Sequence, residues 1–417
     1  MKKIIIVPTF VIINICLLFA KNDTDTIMYK RKSYQLIIQD SPASLFTMRQ
    51  FNQNYLSGYR CISDYLNEKM NTKTIHIIEE LSDILFFYPL THEEGHRSIL
   101  TSLGIGSISQ PYFNSEGAAY VKGVRDIDLQ NLRQNDLPNY IRLHTAGLES
   151  DYMVSNRIEE LVLFNQESKR NLFYGYFVRT LGLISYYTLS MYPSLNPQLK
   201  EEPNELDRDV VGHDVYGAIK NLYRPHETFY RYTNYNDLTS VEKQFVKRVG
   251  YRALLNLASP LFFKPLNLVR KQHLTLSLGL GYTMCPFGDF IDEKIYIQVH
   301  NNYRFRVYLR QFENYNTWFM GGGLCLVDYQ ISPKLNTTIG GHLWSQPKKL
   351  DFKTTQSQFG GSADVVFKYT VSENKSHNSI SLDIGLLYKT FGFLPEEVIL
   401  KQHFGVSLGA TVNLIHK

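Results

Sequence analysis

From His273 onward the chain alternates apolar and polar residues so regularly that extended strands are the natural way to present them. Leu274, Leu276, Leu278, Leu280 and Tyr282 fall on one phase, and Thr275, Ser277, Gly279 and Gly281 on the other. Successive side chains of a strand point to opposite faces, so this period of two makes one apolar and one polar face. The same rhythm returns over residues 295–299, 304–310, 380–388 and 404–414. With 317–331, 335–344 and 360–371 it predicts about eight strands. The connections near 284–293, 346–358 and 392–402 read as long, and those at 301–303 and 332–334 as short.

The charges of this region keep to the polar phase: Arg304, Arg306, Arg310, Asp364, Lys368 and Asp383. Segment 272–417 resembles the small outer-membrane barrels. That resemblance implies an eight-stranded antiparallel barrel with the charges paired inside it and its apolar face against the lipid bilayer of a bacterial outer membrane. The aromatic content of 13%, with 29 tyrosines, agrees with the aromatic girdles of such barrels. The chain departs from the family at Leu414-Ile415-His416-Lys417, which lacks a terminal aromatic residue. A soluble antiparallel sandwich with one wet face would show the same alternation.

Residues 1–20 read as a secretory signal: Lys2 and Lys3, then an apolar run from Ile4 to Phe19, then Ala20 at a plausible cleavage point. Cys16 lies in that run without the small residues a lipidation site needs. Removing the two lysines lowers the formal charge from +5 to +3, too little to imply nucleic acid. Cys61, Cys285 and Cys325 remain, an odd number far apart. One bridge between Cys285 and Cys325 is compatible with the spacing, but a disulfide framework is not.

Upstream of the strands the period becomes helical, over 44–70, 75–90 and 137–164. Within this part stands Leu90-Thr91-His92-Glu93-Glu94-Gly95-His96-Arg97. On a helix, residues four apart share a face, so the imidazoles of His92 and His96 can chelate one ion, and Glu93 is placed as a base. The bland alternative is two surface histidines on an amphipathic helix. Pro89 predicts a kink or a fresh helix start just before the motif.

His-Glu-x-x-His resembles the signature of the zincin-like zinc metallopeptidases. Glu94 departs from that family, where the position is usually uncharged. The resemblance implies an α+β chain: a mostly helical zincin-like domain over 21–270 followed by the barrel over 271–417. It also implies a bound Zn2+, a peptide or protein substrate, and a third ligand from a later helix. Glu149, beside Ala146, Gly147 and Ser150 on the second long helix, is the expected ligand, with Asp151 and His144 in reserve. An ordinary exposed helix glutamate is the competing account of Glu149. A further cluster, Asp207, Asp209, His213 and Asp214, supplies either a carboxylate that orients a zinc histidine or a helix cap. A short apolar stretch within 110–126 is the candidate strand for holding substrate backbone.

The aromatic run 171–193 is long enough to span a bilayer, but Arg179 near its middle favours a buried core helix. Residues 198–209 form a charged linker. Together these features predict an exported zinc metallopeptidase anchored in the outer membrane with its catalytic part in the periplasm. The alternative is a non-enzymatic outer-membrane protein with a helical partner-binding domain.

Overall fold

The computed structural model describes residues 31–41, 47–69, 72–112, 119–196, 198–271, 273–300 and 302–415. The expected signal at 1–20 lies outside them. The first element is a strand, β1 (Arg31–Gln39), followed by helices α1 (Met48–Lys69) and α2 (Thr72–Ser82). A π-helical turn, Asp83–Phe87, leads without a break into α3 (Tyr88–Ser102), and Pro89, which cannot donate a ladder bond, stands just after it. A small hairpin, β2 (Ile108–Gln110) and β3 (Tyr120–Lys122), precedes helices α4 (Asp126–Asn135), α5 (Leu137–Leu163), α6 (Lys169–Leu189), α7 (Asp214–Tyr223) and α8 (Ser240–Ala253). Strands β4 (Asn267–Lys271), β5 (Leu274–Cys285), β6 (Gly288–Val299), β7 (Tyr303–Glu313), β8 (Trp318–Ser332), β9 (Leu335–Pro347), β10 (Ser357–Glu373), β11 (Ser379–Lys389) and β12 (His403–Ile415) complete the chain.

The strands form one antiparallel sheet of ten in the order β1-β12-β11-β10-β9-β8-β7-β6-β5-β4. This corrects the expected fold class. The chain is about 40% helical and 34% strand, and its sheet is open rather than an eight-stranded barrel behind a mostly helical domain. Two strands are added to those the alternation predicts, and the outer ones, β1 and β4, do not pair with each other.

A physical reason for the open edge lies in α1. Gln50, Gln53, Asn54, Ser57 and Arg60 recur at helical spacing and face β1. Gln50 Nε2 donates to the carbonyls of Ile37 and Ile38, and Asn54 both donates to Ile37 O and accepts from Ile37 N–H. Gln53 and Ser57 donate to Gln35 O, and Arg60 donates to Ser33 O. Buried backbone polar groups need partners, and here side chains supply what an eleventh strand would have given.

The connection over 284–293 is also corrected. Strands β5 and β6 run on through it and meet in a two-residue turn at Pro286–Phe287, with Cys285 paired to Gly288. Gly288 has φ 148°, and a side chain there would strike the carbonyl oxygen of Glu313. Cys61, Cys285 and Cys325 are free thiols.

The polar face of the sheet curls around the C-terminal half of α5, and the four cations predicted to pair do so there, whereas Asp364 meets His342 and Asp383 is held by Gln35 and Thr411. Arg306 meets Glu160 of α5, Arg310 meets Asp292, and Arg304 and Lys368 flank Asp328. Between this face, α1 and α5 lies a polar cavity of about 720 Å³. The main apolar core is at the other end of the sheet. There Leu148 and Tyr152 of α5, Tyr187 of α6, Val215 and Ile219 of α7 and Phe245 of α8 pack on Tyr282, Met284 and Phe290. Helix α6 is a core helix with Arg179 fully buried, and no helix of the described residues is long and apolar enough to cross a membrane.

Candidate metal centre

The residues of the motif meet a close helix crossing. Helices α3 and α5 pack at Gly95 and Gly147: a Cβ on Gly95 would sit 2.4 Å from Ala146 O. One on Gly147 would sit 2.4 Å from His92 Nε2 and 2.5 Å from His96 Nε2. The bare Gly147 backbone therefore forms one wall of the space into which both nitrogens point. Asp214, the first residue of α7, enters from the side. Its Oδ2 lies 3.1 Å from His92 Nε2 and 3.5 Å from His96 Nε2.

The turn before α7 aims it. Asp209 accepts hydrogen bonds from the N–H groups of Val211 and Gly212, and Gly212 adopts φ 64° with Tyr232 where a side chain would be. Among the described residues, His92, His96 and Asp214 form a group able to hold a metal ion, their ligand atoms all within 4.8 Å of one another.

The far side of each ring is pinned. His96 Nδ1 is 2.6 Å from Leu143 O, which can only accept, so Nδ1 carries the proton and the neutral ring presents a lone pair at Nε2. His92 Nδ1 is 2.7 Å from Asp151 Oδ2, which orients that ring in the same sense. An acceptor on the distant nitrogen, with the near nitrogen free, is how metal-bound histidines are held. The donor set is that of zinc and neighbouring first-row ions: two imidazoles and a carboxylate. Without an ion, a proton on Nε2 of either ring must separate the lone pair from the Asp214 carboxylate.

Burial shapes the charges. It opposes ionisation of both imidazoles, but Asp151 and Asp214 outweigh it at His92, and Asp214 outweighs it at His96, so both rise above the ordinary histidine value. Asp214 is buried too, yet the two histidines hold it below the usual carboxylate range. Among the described residues Glu93 has no ion-pair partner. Burial, with Asp214 and Asp151 behind it, raises it to about 7 against the pull of both histidines. Asp209 is pushed up to about 8, first by burial and then by Glu93.

The other candidates fall into place around this group. Asp151 touches the centre through His92. His144 is fully buried with neither ring nitrogen hydrogen-bonded, and burial lowers it to about 3. His213 stacks on Tyr216 at 3.7 Å between ring centroids. Glu149 is turned away: Arg142 grips both its oxygens at 2.6 and 3.0 Å, and Glu396 N–H donates to it at 2.8 Å. Glu94 pairs with Arg97. The structure thus brings Asp214, and not Glu149, to the histidines. Two neighbours carried no signal as site residues. Tyr186 accepts from Asp214 N–H and lies 5.9 Å from the His92 ring, and Tyr88 lies 6.3 Å from it.

No protein-family model and no curated protein matches the chain. The zincin resemblance is corrected on the architecture as well, because the helices around the motif do not assemble a zincin-like domain. The arrangement of α3, α5 and α7 must be judged on its own chemistry.

Proposed function

We propose that this chain is a zinc-dependent hydrolase of peptide bonds, with His92, His96 and Asp214 as metal ligands and Glu93 as general base. The observation that carries this is the convergence of two Nε2 atoms and Asp214 Oδ2 on one point, with both Nδ1 atoms pinned from behind. A bound zinc ion supplies Lewis acidity and makes water acidic enough to ionise near neutral pH. Glu93, buried beside both histidines, is placed as a group that takes a proton from water and returns it to a leaving amine. Asp151 and Leu143 O keep the imidazoles oriented throughout.

A second reading rests on burial: His92 and His96 side chains are 10% and 1% exposed. An ion there would then be structural, tying α3 and α7 across α5. The test is zinc content by elemental analysis, together with cleavage of a fluorogenic unstructured peptide library, for wild type, His96→Ala and Glu93→Gln. Stoichiometric zinc with cleavage that Glu93→Gln abolishes supports the enzyme. Zinc without cleavage selects the structural ion, and no zinc after loading removes both.

We also propose that the outer face of the sheet lies against the lipid of a bacterial outer membrane, with the metal centre on the periplasmic side. Leu382, Ile384, Leu386, Val406 and Leu408 are 37–55% exposed, and they are continuous across the ladder through Phe367↔Ile384↔Leu408 and Leu386↔Val406. A solvent-facing apolar patch of this extent is rare in soluble monomers. Flotation of the purified protein with phosphatidylethanolamine and phosphatidylglycerol vesicles should show binding that Leu382→Asp with Ile384→Asp abolishes. Recovery of the wild type entirely in the lipid-free fraction would rule the placement out.

A further inference from the structure

Arg179 is the arginine that interrupts the apolar run of α6, and the metal centre as described makes no use of it. It is fully buried, yet its guanidinium has specific company. Nη1 donates to Thr91 Oγ1 at 2.5 Å and Nη2 to Phe87 O at 3.3 Å. Both acceptors lie within one turn or so before His92, in the π turn and first turn of α3. The guanidinium also stacks 4.8 Å from the Tyr55 ring centroid. Two buried carboxylates face it at 3.9 Å: Asp83 Oδ1 from the π turn and Asp151 Oδ1 from α5.

Asp151 is the carboxylate on His92 Nδ1. Its Oδ2 takes that hydrogen bond, and its Oδ1, fully buried, faces Arg179, with the Tyr88 hydroxyl beside the same carboxylate. A carboxylate out of water keeps its charge only beside a compensating cation. Near Asp151 that fixed cation is Arg179. The π turn supplies the second acceptor, Phe87 O, so the contacts from α6 reach the start of the motif helix.

We infer that Arg179 is a positioning residue for the metal centre, acting through Asp151 to hold His92 with its proton on Nδ1 and its lone pair on Nε2. This rests on the ligand assignment above. The chain Arg179–Asp151–His92 crosses three helices, α6, α5 and α3, so the side chain that orients the ligand is itself oriented from a third element. Partners of this outer kind typically change metal affinity by about 10- to 100-fold.

The test uses the full chain as wild type, Arg179→Met, Arg179→Lys, Asp151→Asn and the Arg179→Met/Asp151→Asn double variant. Zinc affinity is read by competition with a chromophoric chelator, and the His92 Nδ1–H···Asp151 hydrogen bond by the 1H and 15N shifts of that N–H in the metal-free protein labelled at histidine. Arg179→Met should lower zinc affinity by about 10- to 100-fold and displace the His92 Nδ1–H resonance. Arg179→Lys, which keeps the charge and loses the fork, should restore most of both. In the Asp151→Asn background, Arg179→Met should cost little more. Additive losses, or a His92 signature unmoved by Arg179→Met, overturn the proposal. If Arg179→Met does not fold, the same cycle run with Arg179→Lys decides it, its smaller loss vanishing in the Asp151→Asn background or overturning the proposal by persisting. A wild type that takes no zinc removes the ligand assignment, while the His92 Nδ1–H resonance in the metal-free protein still tests Arg179 by itself.

Discussion

Arg142 and Glu149 form a two-pronged ion pair inside α5, with neither side chain exposed. They stand seven residues apart, two turns along one face, which brings guanidinium and carboxylate together. Glu149→Ala would leave the Arg142 charge buried beside the carbonyls of Leu394 and Glu397 alone. The expected cost is about 3–5 kcal/mol of stability, measured by urea denaturation. Zinc affinity of the folded fraction should be unchanged. A weakened zinc affinity at intact stability would return Glu149 to the ligand set.

Removing a ligand should act the other way. Asp214→Asn and His96→Ala should each abolish stoichiometric zinc in elemental analysis, because each leaves two ligands where structural and catalytic zinc sites use three or more from the protein. Retention of full zinc by Asp214→Asn would show that the third ligand comes from elsewhere.

Gly147→Ala is a sharper probe, since it changes no ligand. Alanine is the better helix former by about 1 kcal/mol, so helix propensity alone predicts a gain. The added methyl would stand against both Nε2 atoms. Zinc binding should therefore be lost or reduced at least tenfold, read by the same chelator competition. Normal zinc affinity in this variant would mean that the ion does not sit between α3 and α5.

His144 predicts a pH dependence. Burial depresses its folded value to about 3 from an ordinary 6.5. Between those values the unfolded chain binds the proton and the folded chain does not. Stability therefore rises with pH across that window, and it is lost as pH falls below about 6.5. A shift of that size corresponds to roughly 4–5 kcal/mol once pH is below both values. His144→Leu should lose less stability than wild type between pH 6.5 and 4 in denaturant titrations. Parallel curves would show that His144 gains its proton without unfolding.

Much of this was legible where a local period decides the outcome. The shared face of His92 and His96 follows from helical spacing, and the long helix over 137–163 from its apolar stripe. Residues 379–389 alternate so strictly that the strand and the exposure of Ile380, Leu382 and Ile384 could both be expected. What escaped depended on distant partners. Strand Arg31–Gln39 has its ladder partner at the chain's end and its other edge in the side chains of α1, so its nine residues carry little signal alone. Asp214 was visible only as one acid of a cluster, because Gly212 and the Asp209 turn aim it and no spacing to the histidines exists. Glu149 had the right residue type and helix, but Arg142 stands on the same face and takes it.

The pairing of β1 with β12 also fixes a schedule. Ser33 bonds to Asn413 across 380 residues of chain, so the first strand made is among the last to find its neighbour. Contacts of such separation pay their loop-closure entropy before any return, and they slow folding. Until β12 exists, β1 rests on α1, whose amides and hydroxyls reach its outer carbonyls, and on the Lys32–Glu167 ion pair. Strand β1 and helix α1 together can thus wait as a hairpin-like unit, and a chain cut short of residue 403 would keep that unit with its inner edge permanently unfilled.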